Sequence, residues 1–276
     1  MLKTNDYSER IFALYNQGKC GKQIADILHF KYHQPIYNFF RKHHLKNNPT
    51  VYKRKYTLDE NFFKCINTPE KAYILGFVCA DGHISHDRLI ITLATKDVDI
   101  LHKIKFFMNS SAPIKNVIKV NPYLKSKNKI VFQSILQLNS RELVKPLFNM
   151  GLTSDKTYTL DRGVLKVIPK FLMRDFLRGY FDGDGNILWR KRYSSGVKYN
   201  INICGNQDFL LGSFNTFFPS KNKLYKDLYS KQCYIWKLSS KDNVYRFLKY
   251  LYHNSSIFLL RKYKIYLIAR GHVKQG

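Results

Sequence analysis

Apolar positions recur at helical spacing through the first 45 residues. Ile11, Phe12, Leu14 and Tyr15 share one side of a helix that Ser8 is placed to cap and Gly18 to end. Ile24, Ala25 and Leu28 mark the inner side of a second helix over 22–28. After a turn at 29–32, Ile36, Phe39 and Phe40 mark a third, with Pro35 near its start. The small Ala25 falls where two of these helices must cross. KNNPTVYKRK at 46–55 is polar, basic and broken by Pro49, the composition of an extended linker. Beyond it the period changes. In ILWRKRYSSGVKYNINI at 187–203, Trp189, Tyr199, Ile201 and Ile203 point one way, and Arg190, Arg192, Lys198, Asn200 and Asn202 the other. Lys115, Lys119, Lys129 and Gln133 give a similar, less regular pattern. Each sheet therefore has one apolar face and one polar, cationic face; a solvated sheet surface would alternate in the same way.

The elements repeat. AYILGFVCADGHI at 72–84 is answered by FLRGYFDGDGNI at 176–187, which sets the terminal aspartates, Asp81 and Asp184, 103 residues apart. RLIITLATKD answers to YNINICGNQD, ILQLNSREL to YIWKLSSKD, and a segment ending at Lys156 to one ending at Lys262. The order in each copy reads helix, hairpin, helix, hairpin, helix. A fold of the α+β class follows, divided into a helical unit at 1–45, a basic linker at 46–67, and repeats at 68–160 and 161–276.

Thr68, Pro69 and Glu70 start the first motif helix and Gly82 stops it. Gly76 and Ala80 stand four residues apart, as do Gly179 and Gly183. This small-residue stripe lets two backbones approach closely, so the two motif helices are expected to pack together. Asp81 and Asp184 then meet at the negative ends of two helix dipoles. Two carboxylates there call for a cation, and hard oxygen donors select Mg²⁺ or a similar divalent ion. The structural alternative is an Asp-Gly turn that merely ends each helix.

Charge narrows the partner. Against 47 Lys plus Arg stand only 19 Asp plus Glu, a net charge of +28 that points to a polyanion, with nucleic acid leading. Hydrophobic residues make up 45% and aromatic residues 15%, which excludes a disordered chain. The polar opening MLKTNDYSER and the short apolar run Tyr73 to Ala80 suggest neither signal peptide nor membrane anchor. Five scattered cysteines, with no C-x-x-C pair, read as reduced intracellular thiols and not as zinc ligands. Charge alone leaves DNA, RNA and the ribosome open as partners.

QIADILHFKYHQPIYNFFRKHHL resembles a helix-turn-helix, which implies that Gln34, Tyr37, Asn38 and Arg41 face a groove; a three-helix packing module is the alternative. ILGFVCADG and LRGYFDGDG resemble the two copies of the LAGLIDADG motif. From Tyr56 onward the chain is similar to single-chain LAGLIDADG homing endonucleases, with GLTSDKT and IFLLRKYK as supporting segments. The resemblance implies two αββαββα repeats about a pseudo-twofold axis, the motif helices at the interface and a saddle of strands in the DNA major groove. It implies that Asp81 and Asp184 hold catalytic divalent metal and cut the two strands, with Lys156 and Lys262 stabilising the scissile phosphate or polarising water. Cys79 stands where the second copy has Asp182, which points to a structural or asymmetric role for Asp182 rather than to a ligand. Candidate DNA contacts also include Lys53, Arg54 and Arg88. The expected partner is a long, non-palindromic DNA duplex cut by a monomer, with the target and host unread. An RNA-binding intron maturase and a non-cleaving transcription regulator are the rival readings.

Overall fold

The computed structural model describes residues 7–48, 55–120, 130–153, 159–192, 196–218, 224–227 and 233–274, the side chains of 190–198 and 272–274 excepted. The chain divides into two compact units, 1–55 and 56–276.

In the first unit, helices α1 (Ser8–Asn16), α2 (Gly21–Ile27) and α3 (Gln34–Lys42) close on Ile11, Ile24, Ala25, Leu28, Ile36, Phe39 and Phe40. Phe12 meets Phe39 edge-on, and Tyr15 meets Phe40 in the same way. Gly18 has φ +81°, the left-handed conformation that ends α1. Ser8 is the first residue of α1 and not its cap. The cap position falls on Tyr7, whose ring packs edge-on against Phe30, so the helix starts one residue sooner than the hydroxyl pattern suggests. At α2 the Cys20 N–H donates to Gln23 Oε1 at 3.0 Å.

The expected linker at 46–67 is shorter in the structure. Asn47 and Asn48 bond back to the helical unit, at Gly21 N and at the Tyr15 and Lys19 carbonyls. Phe62, Phe63 and Ile66 are buried in the core of the second unit. Apolar side chains in the latter half of the segment have a core to enter, which an extended linker would not give them.

The second unit repeats one arrangement. Its first half runs α4 (Pro69–Asp81), β1 (Gly82–Ser85), β2 (Arg88–Ala94), α5 (Val98–Phe107), β3 (Ile114–Val120), β4 (Ile130–Asn139) and α6 (Arg141–Asn149). Its second half runs α7 (Met173–Asp184), β5 (Gly185–Arg192), β6 (Gly196–Gly205), α8 (Gln207–Leu210), β7 (Tyr225–Lys226), β8 (Tyr234–Ser239) and α9 (Lys241–Tyr252). Helix α10 (Leu260–Lys274) follows. The antiparallel sheets have matching orders, β1-β2-β4-β3 and β5-β6-β8-β7. This is the αββαββα pair expected from the sequence. As expected, Thr68 caps α4, its Oγ1 accepting from Lys71 N.

Cross-strand register assigns the faces. Leu89, Ile91, Leu136 and Leu138 in one sheet, and Tyr199, Ile201, Ile203, Trp236 and Leu238 in the other, are buried under the helices. The outer parts of the hairpins outrun that cover. Ile118 pairs with Phe132 and Val120 with Ile130 on the core-side face, yet all four are exposed. Trp189, expected inside opposite Tyr199, is likewise 44% exposed.

Two arginines bond across the unit. Arg162, between α6 and α7, donates from Nε to Asp208 of α8 at 2.7 Å. Arg261, on α10, donates from Nε to both carboxylate oxygens of Asp97, just before α5, at 3.0 and 3.1 Å.

Candidate active site and nucleic-acid face

Helices α4 and α7 pack at backbone distance. A Cβ on Gly76 would lie 2.0 Å from the Phe176 carbonyl oxygen, and a Cβ on Gly179 1.9 Å from that of Tyr73. These contacts are reciprocal, since 73 and 176, like 76 and 179, differ by the same 103 positions. Only glycine fits either place. At the next contact Ala80 faces Gly183, where a second Cβ would come within 2.3 Å of the first.

That packing sets the acidic tips. Asp81 and Asp184 are the last residues of their helices, and each chain passes directly into a strand at Gly82 or Gly185. The Asp81 carboxylate lies over Gly183, with Oδ2 3.1 Å from where a Cβ would stand, beside Asp184. Asp81 is half-buried and Asp184 exposed.

Lys262 is fully buried, and the charges of both carboxylates act on it. Its Nζ donates to the carbonyls of Phe181, Asp182 (2.8 Å) and Gly185. Three ammonium protons thus serve three backbone oxygens at the end of α7, so contact with a scissile phosphate would require one of these bonds to break. Burial lowers the Lys262 pKa to about 8, against the pull of Asp182, Asp81 and Asp184. Lys156, its counterpart in the first repeat, lies outside the described residues.

Asp182, whose counterpart in the first copy is Cys79, is buried among hydrogen-bond donors. It is 1% exposed, and its carboxylate accepts from the hydroxyls of Tyr73 (2.7 Å) and Tyr252 and from Leu259 N at 2.7 Å. Burial pushes its pKa upward, while Lys262 and these donors pull it down. One turn back, buried Arg178 donates to the Leu251 and Ile257 carbonyls and to Asp175. The sequence reading missed this anchorage of residues 251–262; the signal available was Asp175, Arg178 and Asp182 in one otherwise apolar helix.

A hollow of about 100 Å³ adjoins Asp184, lined in part by Cys79, Tyr180, Cys204, Asn206 and Cys233. Burial drives the Cys204 thiol up to about 11, and it raises the Cys233 thiol as well. Raised in this way, both thiols ionise less readily than an ordinary cysteine. The carboxylate and carbonyl oxygens near them suit a Mg²⁺- or Ca²⁺-class ion. No group of three or more His, Cys, Asp and Glu that could hold a metal occurs among the described residues. A Mg²⁺-class ion commonly takes one or two carboxylates and completes its shell with water and phosphate.

The expected DNA contacts fall on shared faces. Arg88, Lys115, Lys119 and Gln133 occupy the non-core face of the first sheet by register. Lys115 and Lys119 are exposed, Arg88 is held by Asp87 through Nε at 2.8 Å, and Gln133 is half-buried. Positions 190, 198, 200 and 202 share the corresponding face of the second sheet, and Asn200 and Asn202 are half-buried. The same faces hold Thr92, Gln137, Asn139, Asn186 and Lys237, which the sequence reading did not single out although strand alternation includes them. Lys53, Arg54 and Lys129 lie outside the described residues; of Arg190, Arg192 and Lys198 only the backbone is described. On α3, Gln34, Asn38 and Arg41 are exposed, and Gln34 donates to Asn38 Oδ1 at 3.1 Å. Tyr37 instead packs half-buried against Phe40.

Two repeats joined along glycine-lined helices, each feeding a four-stranded antiparallel sheet, make up the fold of the LAGLIDADG homing endonucleases. Among solved structures, the chain is similar to the LAGLIDADG homing endonuclease I-GzeII in complex with a DNA target. The TM-score is 0.50 and the identity 13%, over 76% of this chain and 90% of that one. It is also similar to the LAGLIDADG meganuclease I-AabMI bound to uncleaved DNA, with TM-score 0.44 and 15% identity over 75% and 92% of the two chains. A third is I-SmaMI, bound to uncleaved DNA with calcium ions present, with TM-score 0.45 and 15% identity over 75% and 93%. No protein-family model and no curated protein matches the chain. No described helix is long and apolar enough to cross a membrane.

Proposed function

We propose that the protein is a site-specific, divalent-metal-dependent DNA endonuclease that acts as a monomer. The observation that carries this reading is the seam itself: two glycine-lined helices end together in Asp81 and Asp184, with the Asp81 carboxylate over Gly183. A divalent ion held there by Asp81 and Asp184 would supply a bound water of lowered pKa and neutralise developing phosphate charge. The chain's own residues do the rest. The glycine contacts fix the separation of the helices, and Lys262 ties down the end of α7 through three carbonyls. The polar sheet faces carry lysines and amides suited to phosphates and base edges, respectively. The three-helix unit extends the contact through Gln34, Asn38 and Arg41 on α3.

Two repeats in one chain supply both half-sites, so the target need not be palindromic. The test is cleavage of a large DNA library of candidate targets in Mg²⁺, with recovery of the cut sequence. The reading expects recovered sites, loss of cutting with a chelator, and loss of at least about a hundredfold for the Asp81→Asn, Asp184→Asn double variant. Cleavage undiminished in that variant would remove the proposed chemistry.

A further inference from the structure

The second motif helix ends in a buried polar cluster built on Asp182, where the first motif has Cys79. One carboxylate, Asp182, joins three elements: Tyr73 on α4, Tyr252 at the end of α9, and the Leu259 amide at the approach to α10. Three residues beyond Leu259, Lys262 closes on the carbonyls of 181, 182 and 185, which bracket Asp184 in the chain. At the equivalent place in the first motif stands Cys79, and the partner equivalent to Tyr73 is Phe176, which has no hydroxyl. Asp184 has the Tyr180 hydroxyl one turn behind it, whereas Asp81 has Phe77.

From this asymmetry we infer that Asp182 is a positioning residue for the second site alone. It seats the 259–262 segment so that Lys262 fixes the end of α7 and with it the place of Asp184. Cys79, at the equivalent place before Asp81, is not a carboxylate. The inference rests on the nuclease reading, and it adds that the two strands are cut by carboxylates held in different ways.

The test uses the full chain and a recovered target labelled with a different dye on each strand. Asp182→Asn keeps the shape but faces its donors with an amide. It is expected to slow, by about tenfold or more, the strand whose cutting Asp184→Asn abolishes, and to change the other strand less than about twofold. Tyr73→Phe and Tyr252→Phe, each removing one hydroxyl, are expected to move the same ratio by about two- to fivefold, and they carry the test if Asp182→Asn does not fold. A general loss of stability would lower both strands together. Equal slowing of both strands, an unchanged ratio, or slowing confined to the Asp81 strand would overturn the inference. A wild type that cuts no DNA would instead remove the nuclease reading on which it rests.

Discussion

The two motif helices share a backbone and differ in their chemistry. Both use a glycine at the closest approach, Gly76 against Phe176 and Gly179 against Tyr73, and both end in aspartate followed directly by a strand. Around that common frame, Ala72, Leu75 and Cys79 in α4 stand opposite Asp175, Arg178 and Asp182 in α7. The second helix is bound through buried Arg178 and Asp182 to the end of α9 and to the segment between α9 and α10, whereas the polar bonds of the first run from Tyr73 to Asp182 and from Glu70, which accepts from Ser256. Steric fit at the seam is symmetric, and polar anchorage is not. The two are separable because close packing depends on missing Cβ atoms, whereas a buried carboxylate depends on a complete set of donors.

The comparison can be broken most severely at its symmetric part. Gly179→Ala sets a methyl against the Tyr73 carbonyl and is expected to destabilise the second unit by about 3 kcal/mol or more, measured by denaturant unfolding. Gly271→Ala, where nothing lies within 4 Å, should stay within about 1 kcal/mol of the wild type and tend to stabilise. An equal effect at the two sites would contradict the close approach.

Transferring the asymmetric part sharpens the contrast. Cys79→Asp buries a carboxylate opposite Phe176 and is expected to cost about 2–3 kcal/mol. Adding Phe176→Tyr supplies the hydroxyl that Tyr73 gives Asp182 and should restore about 1 kcal/mol. Additive effects in that cycle would show that the Tyr73–Asp182 geometry has no counterpart across the seam.

The smallest effect is on pH dependence. Folded Lys262 releases its proton near pH 8, while an unfolded lysine holds it to about 10.4, so the unfolded chain binds more protons between these values. Lys262 therefore makes stability rise with pH from about 8 towards 10, by up to about 2 kcal/mol. Above about 10, the buried phenols of Tyr73, Tyr180 and Tyr252, whose pKa values burial raises, turn the trend downward. Unfolding midpoints at pH 7.5 and 9.5 check the rise, which Lys262→Met should flatten.

Much of this was legible in the sequence because it is local. The Thr68 cap, the glycine stripes and the repeat are set by spacing along one helix or by comparison of one copy with the other. The alternating strands assigned Lys115, Lys119, Asn200 and Asn202 to polar faces for the same reason. What could not be read depends on partners far apart in the chain. Tyr73 and Asp182 are 109 residues apart, Arg261 and Asp97 are 164, and no periodicity links either pair. Lys262 matches by position the basic residue that the resemblance places at the scissile phosphate; only the fold brings its ammonium group to the three carbonyls at the end of α7. Spacing also places Ser8 at the cap of α1, where the structure has Tyr7, and it does not show that Tyr37 is half-buried against Phe40.

The central claim is that each motif aspartate serves one strand of a duplex. Strand-resolved cleavage of a recovered target by Asp81→Asn and by Asp184→Asn, separately, tests it most directly. The account predicts that each variant nicks the duplex and that the two nicks fall on opposite strands. If either variant still cuts both strands at the wild-type rate, the shared acidic seam is not the cutting site.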